Sequence, residues 1–331
     1  MKRLVALLSA ALLPLLVASA EPQPVIGLIT KTETNPFFVK MREGAAAEAK
    51  KQGLRLLTAA GRRDGDNAGQ VTAIENMVAA GARALLITPS DAQAIVPALR
   101  KARARGVLVI ALDSATDPLE AVDALFATDN YRAGQLIGRY ARAALAGRAP
   151  RIVTLDLMPG HPVGAQRHNG FLDGLGIKAP AASSNQLGND PTVQCMADTG
   201  GDQARAQAAM ENCLQRARDV NVVYAINEPA AAGAWSALQR AGRAQGVLLV
   251  SVDGGCAGVA DVGRGRITAT SQQYPLRMAE LGVAAAAQFI RTGRRPGGYT
   301  DTGVALVARA PVAGIENIDV TAGTRLCWGA R

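Results

Sequence analysis

Histidine is nearly missing from this chain, with His161 and His168 the two present in 331 residues. No Cys-x-x-Cys pair accompanies them, so the usual spacing of a zinc site is absent and neither a metal nor a cofactor is expected. The chain also lacks a Gly-x-Ser-x-Gly elbow, a phosphate loop ending in Gly-Lys-Ser/Thr, and a Gly-x-Gly-x-x-Gly after its first strand-like run. The common hydrolase, nucleotidase and dinucleotide patterns are therefore missing, no catalytic residue is nominated, and both histidines read as surface or supporting groups. Aromatic residues make up 4% of the chain. The excess of Lys and Arg over Asp and Glu, 36 against 27, is spread over helix faces at Lys50 and Lys51, Arg100 to Arg105 and Arg291 to Arg295. Without aromatics interleaved among them, these read as solvated charges, and no nucleic-acid partner is expected.

One long apolar run exists, Leu4 to Val17, preceded by Lys2 and Arg3 and followed by Ala18-Ser19-Ala20. That is the three-part pattern of an export signal with a small-x-small cleavage site. It is short for a bilayer span and interrupted by Pro14. Residues 1–20 are thus expected to be removed, leaving Glu21 as the first mature residue and lowering the formal charge from +9 to +7. No cysteine follows the cleavage site to carry a lipid, so a freely soluble periplasmic protein is expected.

Export changes the meaning of the four cysteines, because the periplasm is oxidising. Cys195, Cys213, Cys256 and Cys327 admit three pairings, and spacing alone does not choose among them. The pairing expected is Cys195 with Cys213 and Cys256 with Cys327. The second bridge would tie down the C-terminal tail, an effect of about 3 to 4 kcal/mol in the chain-entropy model.

Short runs rich in Val, Ile and Leu alternate with alanine-rich amphipathic segments, the pattern of buried parallel strands between helices. Strands are predicted at Val25 to Thr30, Leu54 to Ala59, Ala84 to Thr88 and Val107 to Asp113, with helices at Pro36 to Gln52, Asn67 to Ala80 and Ala92 to Arg105. A second set is predicted to open with the strand Leu125 to Thr128 and the helix Tyr131 to Ala146. It continues with strands Ile152 to Leu157, Val222 to Ile226 and Val247 to Val252, and helices Val163 to Leu175, Gln203 to Arg216 and Ala230 to Ala241. The expected class is α/β, with two similar doubly wound parallel-sheet lobes.

Open parallel sheets bind ligands outside the carboxyl ends of their strands. The residues delivered there share a chemistry: Asn35, Asp113, Asn227, Asp253 and Gln273, with Arg167 on the helix after Leu157. Each has a planar polar group able to bond neighbouring hydroxyls, and Phe37 and Phe38 add rings for the C–H face of a sugar. Each also has a plainer reading. Asn35 before Pro36, and Asn227 before Glu228-Pro229, are good helix caps. Asp113 and Asp253 could cap the helices after them, Arg167 could lie on a helix surface, and Gln273 could be a hinge residue. The caps do not account for both phenylalanines, since one ring at most is expected to reach the core from the first helical turn. A carboxylate pair acting on a glycosidic bond is the enzyme alternative.

The runs Gly27-Leu28-Ile29-Thr30, Asn35-Pro36-Phe37-Phe38, Ala111-Leu112-Asp113 and Ala127-Thr128-Asp129-Asn130 are followed in order by Arg167-His168-Asn169-Gly170-Phe171 and Ile226-Asn227-Glu228. Ser251-Val252-Asp253-Gly254 and Ser271-Gln272-Gln273-Tyr274-Pro275 complete the series. Together they resemble the type I periplasmic sugar-binding proteins of ABC importers, the ribose- and galactose-binding group. The stretch Leu28 to Lys40, with Asp301-Thr302-Gly303 and Cys327-Trp328-Gly329, is most similar to the fructose-binding branch. The resemblance implies a non-enzymatic monomer that binds a monosaccharide and hands it to a membrane permease. It also implies three hinge crossings, near Ala127 to Asp129, Ser271 to Tyr274 and Thr302 to Val304. Residues 21–127 plus 274–301 would then form one lobe, and 128–273 plus 302–331 the other. The ligand contacts implied are Asn35, Phe37, Phe38, Asp113, Arg167, Asn227, Asp253 and Gln273, with Glu33 as a further acceptor. Where ribose binders carry an arginine after the aspartate this chain has Ser114, and where they bring a third aromatic it has Gly200-Gly201. The pocket is expected to lack that cation and that stacking face, which points away from ribose. A polyol or signalling furanose is the alternative ligand. A sugar-responsive transcription regulator of the same fold is disfavoured, because the place of its DNA-binding helices is taken by the export signal.

Overall fold

The computed structural model describes residues 23–329. The expected export signal, its cleavage site and Glu21 lie outside these residues. The first sheet is built from β1 (Val25–Thr30), β2 (Arg55–Ala60), β3 (Ala84–Ile87), β4 (Leu108–Leu112) and β5 (Ala124–Ala127), joined late in the chain by β11 (Gly298–Asp301). Its order is β11-β5-β4-β3-β1-β2, and all its pairings are parallel. The second sheet uses β6 (Ile152–Asp156), β7 (Val193–Asp198), β8 (Val222–Ala225), β9 (Leu248–Asp253), β10 (Ala269–Gln272) and β12 (Ala305–Ala308). It runs β12-β10-β9-β8-β6-β7, with β12 antiparallel to β10. The sheets repeat one winding, and each has a switch point where the strand order reverses, between β1 and β3 and between β6 and β8.

The helices are α1 (Pro36–Lys51), α2 (Asn67–Ala79), α3 (Val96–Ala104), α4 (Asn130–Leu145), α5 (Pro162–Leu175), α6 (Gln203–Arg216), α7 (Glu228–Arg240), α8 (Cys256–Arg264), α9 (Pro275–Thr292) and α10 (Val320–Leu326). Local chemistry explains α1 well. The Asn35 side chain accepts from the Phe37 N–H, Pro36 occupies the first turn, and Phe37, Phe38, Met41, Ala45 and Ala49 fall on one buried face at helical spacing. α9 returns from the second sheet to pack beside α1 over the first, and its Met278, Ala279 and Val283 join the same core.

The strand expected to open the second set, β5, pairs instead with β4 and β11 and so belongs to the first sheet. Its run Ala124–Ala127 is fully buried and carries no mark of which sheet it joins. The chain changes sheet at residues 128–129, 273–274 and 302–304. The segments are laced together there: Thr302 N–H donates to Ala127 O at 3.0 Å, and Thr128 Oγ1 to Gly303 O at 3.4 Å. Both expected disulfides are present, Cys195–Cys213 and Cys256–Cys327.

The fit of α4 against α5 depends on absent side chains. Gly134 and Gly138 of α4 face Gly170 and Gly174 of α5, and a methyl at Gly134 would run into the Arg167 carbonyl, one at Gly170 into the Tyr131 carbonyl. The seam lets α5 lie close under the crossing at 128–129 and fixes the height at which Arg167 emerges.

Candidate functional site

The carboxyl ends of the two sheets face each other, and most of the nominated residues converge in the buried space between them. Asp113 follows β4 and is 4% exposed; Asp253 ends β9 and is 3% exposed. Their φ angles are 63° and 134°, a region that favours glycine and costs other residues roughly 1 to 3 kcal/mol. Asp113 Oδ2 accepts from Ser114 Oγ at 3.0 Å, whereas its Oδ1 is buried with no partner. Asp253 Oδ1 accepts from Gln273 Nε2 at 2.8 Å and lies 3.7 Å from Arg167 Nη1. Gln273 Oε1 has no partner. Arg167 is held from the other side by Asn130 Oδ1 at 2.7 Å and Ile226 O at 3.0 Å, which fixes the guanidinium plane.

Burial pushes the Asp253 carboxyl up to about 6, against the pull of Arg167 and the Gln273 amide. Beside it Glu228 is pushed well above the carboxylate range, by burial first and then by Asp253. Its Oε2 accepts from Gly255 N–H at 3.2 Å, at the start of α8.

The capping readings hold for the two asparagines as well. Asn35 Oδ1 accepts from Phe37 N–H at 3.0 Å, and Asn227 Oδ1 from Ala230 N–H at 3.0 Å. Asn227 Nδ2 is used by Gly201 O at 3.1 Å. Phe37 and Phe38 are both buried, at 3% and 6%, against the expectation that one ring at most enters the core. The reason is a neighbour from the far end of the chain: Trp328 packs edge-on against Phe37 at 5.5 Å, and Phe37 edge-on against Phe38 at 5.4 Å. Trp328 is held by its indole N–H donating to Gln273 O at 2.7 Å and by the adjacent Cys256–Cys327 bridge. Glu33 stands apart, exposed and paired with Arg42 at 3.2 Å.

Three polar residues of the cleft are not among those nominated from the sequence. Lys31, just past β1, is 2% exposed, 3.8 Å from Asp113 Oδ2, with its ammonium 5.9 Å from the centre of the Phe38 ring. Asp64 and Ser90 come after β2 and β3, and each keeps a buried oxygen without a partner. The strand-end rule reaches all three once it is applied to β1, β2 and β3 as well as to β4. The cation expected to be missing beside Asp113 is thus supplied from another strand. His161, which reads in the sequence as a surface or supporting residue, takes the supporting place: it is 3% exposed at the start of α5, with Nε2 3.1 Å from Lys31 Nζ. His168 is a supporting residue, fully buried and bonded to Asp156 at 2.9 Å and Gly188 O at 3.1 Å. The shallow depressions around Arg294 to Gly297 and around Glu120 and Asp123 lie at the other end of the first sheet's strands, remote from these groups.

No helix among the described residues is long and apolar enough to cross a membrane, and among them no cluster of His, Cys, Asp and Glu could hold a metal ion. Residues 26–294 match the periplasmic binding protein domain. The chain is 32% identical over 294 residues to the ribose import binding protein of Escherichia coli K12, an alignment covering 88% of this chain and 93% of the relative. It is 30% identical to the D-ribose/D-allose-binding protein of Pseudomonas aeruginosa, over 89% of this chain and 92% of that one. Among solved structures, the periplasmic component of an ABC-type sugar transport system from Hahella chejuensis superposes with a TM-score of 0.76 at 28% identity, covering 86% of this chain and 99% of the other. These relatives are binding proteins, not enzymes. The chain belongs to the periplasmic binding protein family, in the type I group that includes the sugar-binding components of ABC importers.

Proposed function

We propose that the protein captures a monosaccharide, with fructose the favoured ligand, between its two lobes and presents the closed form to the permease of an ABC importer. The observation that carries this reading is the pair of aspartates offered from opposite sheets, Asp113 and Asp253, with buried acceptors unpartnered at Asp113 Oδ1 and Gln273 Oε1. Buried acceptors without donors are costly, and sugar hydroxyls are the donors that would satisfy them. Arg167 and Gln273 contribute from the second lobe and hinge, Asn35, Phe37 and Phe38 from the first. A ligand that engages both sets favours closure, shifting the open–closed equilibrium without making or breaking a bond.

Fructose is favoured over ribose because Gly200-Gly201 replaces an aromatic of the ribose binders that the sequence resembles, and because the cation beside Asp113 comes from Lys31, after β1, and not from the position of Ser114. The run Leu28 to Lys40 also resembles the fructose-binding branch. The signal at residues 1–20 would deliver the chain to the periplasm as a monomer. Native mass spectrometry of freshly purified protein tests the reading. A bound mass of a hexose, released on denaturation and identified as fructose, is expected. A bound polyol would replace the monosaccharide with the alternative ligand, and a bound nucleotide or peptide would overturn the proposal.

A further inference from the structure

A buried polar contact joins the lobes. Lys31, after β1 in the first lobe, lies 3.1 Å from Nε2 of His161, which precedes α5 in the second. Asp64, in the loop after β2, approaches the same Nε2 at 3.7 Å, and Asp113 stands 3.8 Å from Lys31 Nζ. On the other side of the ring the Gly164 N–H faces Nδ1 at 3.4 Å. A neutral imidazole has one acceptor nitrogen, so these two contacts cannot both be hydrogen bonds. We assign the hydrogen bond to the shorter contact, Nε2 accepting from the Lys31 ammonium, which puts the ring proton on Nδ1 and leaves the Gly164 N–H without an acceptor there.

A second proton on His161 removes that acceptor. Nε2–H would then point at an ammonium 3.1 Å away, with Asp64 as the remaining partner at greater distance. Burial and Lys31 hold the ring below its ordinary value, while Asp64 and Asp113 pull the other way and do not prevail. Asp64 itself stays ionised: burial raises its carboxyl, but Lys31 and His161 bring it down to about 2. Since Lys31 and Asp64 are on one lobe and His161 on the other, the closed arrangement disfavours the protonated ring.

We propose that Lys31 and His161 form an acid-labile latch across the cleft, closed when a neutral His161 accepts from the Lys31 ammonium and released when His161 takes up a proton. The latch rests on the proposed closure of the lobes, but not on which ligand is bound. Asp253 works in the opposite sense, because the closed cleft favours its protonated form. Comparison with a variant that keeps Asp253 therefore isolates the histidine.

His161→Gln keeps an acceptor for Lys31 and has no proton to gain; Lys31→Met removes the competing charge. Small-angle scattering of the ligand-free proteins, and fructose titrations, at about pH 7.5 and about pH 5.5 span the ordinary titration range of histidine. On acidification the wild type is expected to expand and to lose about threefold or more in affinity relative to His161→Gln, a shift of half a pKa unit. In Lys31→Met, where a protonated His161 has only Asp64 to face, the acid-induced expansion is expected to vanish. Equal expansion in wild type and His161→Gln, or none in either, overturns the latch. If no fructose binds but the scattering shows the expected pattern, the latch stands and the ligand proposal falls. If fructose binds and His161→Gln tracks the wild type at both pH values, the latch falls and the ligand proposal stands.

Discussion

Asp113 and Asp253 occupy matching places at the ends of β4 and β9, one in each sheet, and both have backbone angles that L-residues rarely adopt. A residue that merely capped a helix would not need that conformation, and among the described residues Ala146 is the one other non-glycine with positive φ. Strain kept at two corresponding strand ends, together with burial, supports the proposal that these carboxylates bind the ligand.

Substitution by asparagine rather than alanine separates binding from backbone cost, because asparagine tolerates left-handed backbone better than alanine does. Asp113→Asn and Asp253→Asn should each weaken sugar binding by about tenfold or more, the loss of one charge-assisted hydrogen bond. Neither should lower the melting temperature of the ligand-free protein. Calorimetry and thermal unfolding on the same samples check this; a large drop in stability with affinity unchanged would return both residues to a structural role.

Asp253→Asn has a second signature, in pH. The folded carboxyl titrates near 6 and the unfolded one near 3.8, so between these values the folded state holds a proton that the unfolded state has released. Its burial therefore costs nothing at low pH, and the cost grows as pH rises through about 6, reaching about 1 to 3 kcal/mol. The asparagine variant should unfold at a higher temperature than wild type at about pH 7.5, with the gain fading toward about pH 4. A constant difference across that range would contradict the raised carboxyl.

The glycine seam between α4 and α5 predicts a remote effect on the site. Gly170→Ala should force the helices apart, destabilise the protein by about 1 to 3 kcal/mol and weaken sugar binding through Arg167, which it does not touch. Melting and calorimetry together test it. Retained stability would mean the helices have slack; lost stability with unchanged affinity would mean that Arg167 is placed by other contacts.

The tail makes a prediction of its own. Cys327→Ala removes the bridge that holds Trp328 beside Phe37, and should cost about 2 to 5 kcal/mol. The emission of Trp328, 5% exposed in the intact protein, should shift to longer wavelength. Trp235, on α7, remains as a second emitter, so the shift is read against Trp328→Phe. An unchanged spectrum would show that the tail stays docked without its bridge.

Much of the alternation of strands and helices is legible in the sequence because buried parallel strands read as unbroken apolar runs. β7 escapes for the converse reason: it is an edge strand with alternating exposure, and its apolar run is broken by Gln194 and Asp198. β11 is exposed throughout and is set by pairing with β5, not by its own residues. In the site, residues lying directly after recognisable strands can be found, as with Asp113 and Asp253. Trp328 and His161 cannot, since their places depend on a disulfide and on closure of one lobe against the other. Glu33 is nominated by its nearness to Asn35, but loop neighbours point in different directions, and Arg42 turns it outward.

Titration calorimetry of ligand-depleted protein against fructose, ribose, allose and galactose decides whether the cleft is a monosaccharide site. One saturable transition with one site per chain is predicted, with fructose the tightest, and loss of its heat in Asp113→Asn. No heat with any of the four sugars would contradict the account.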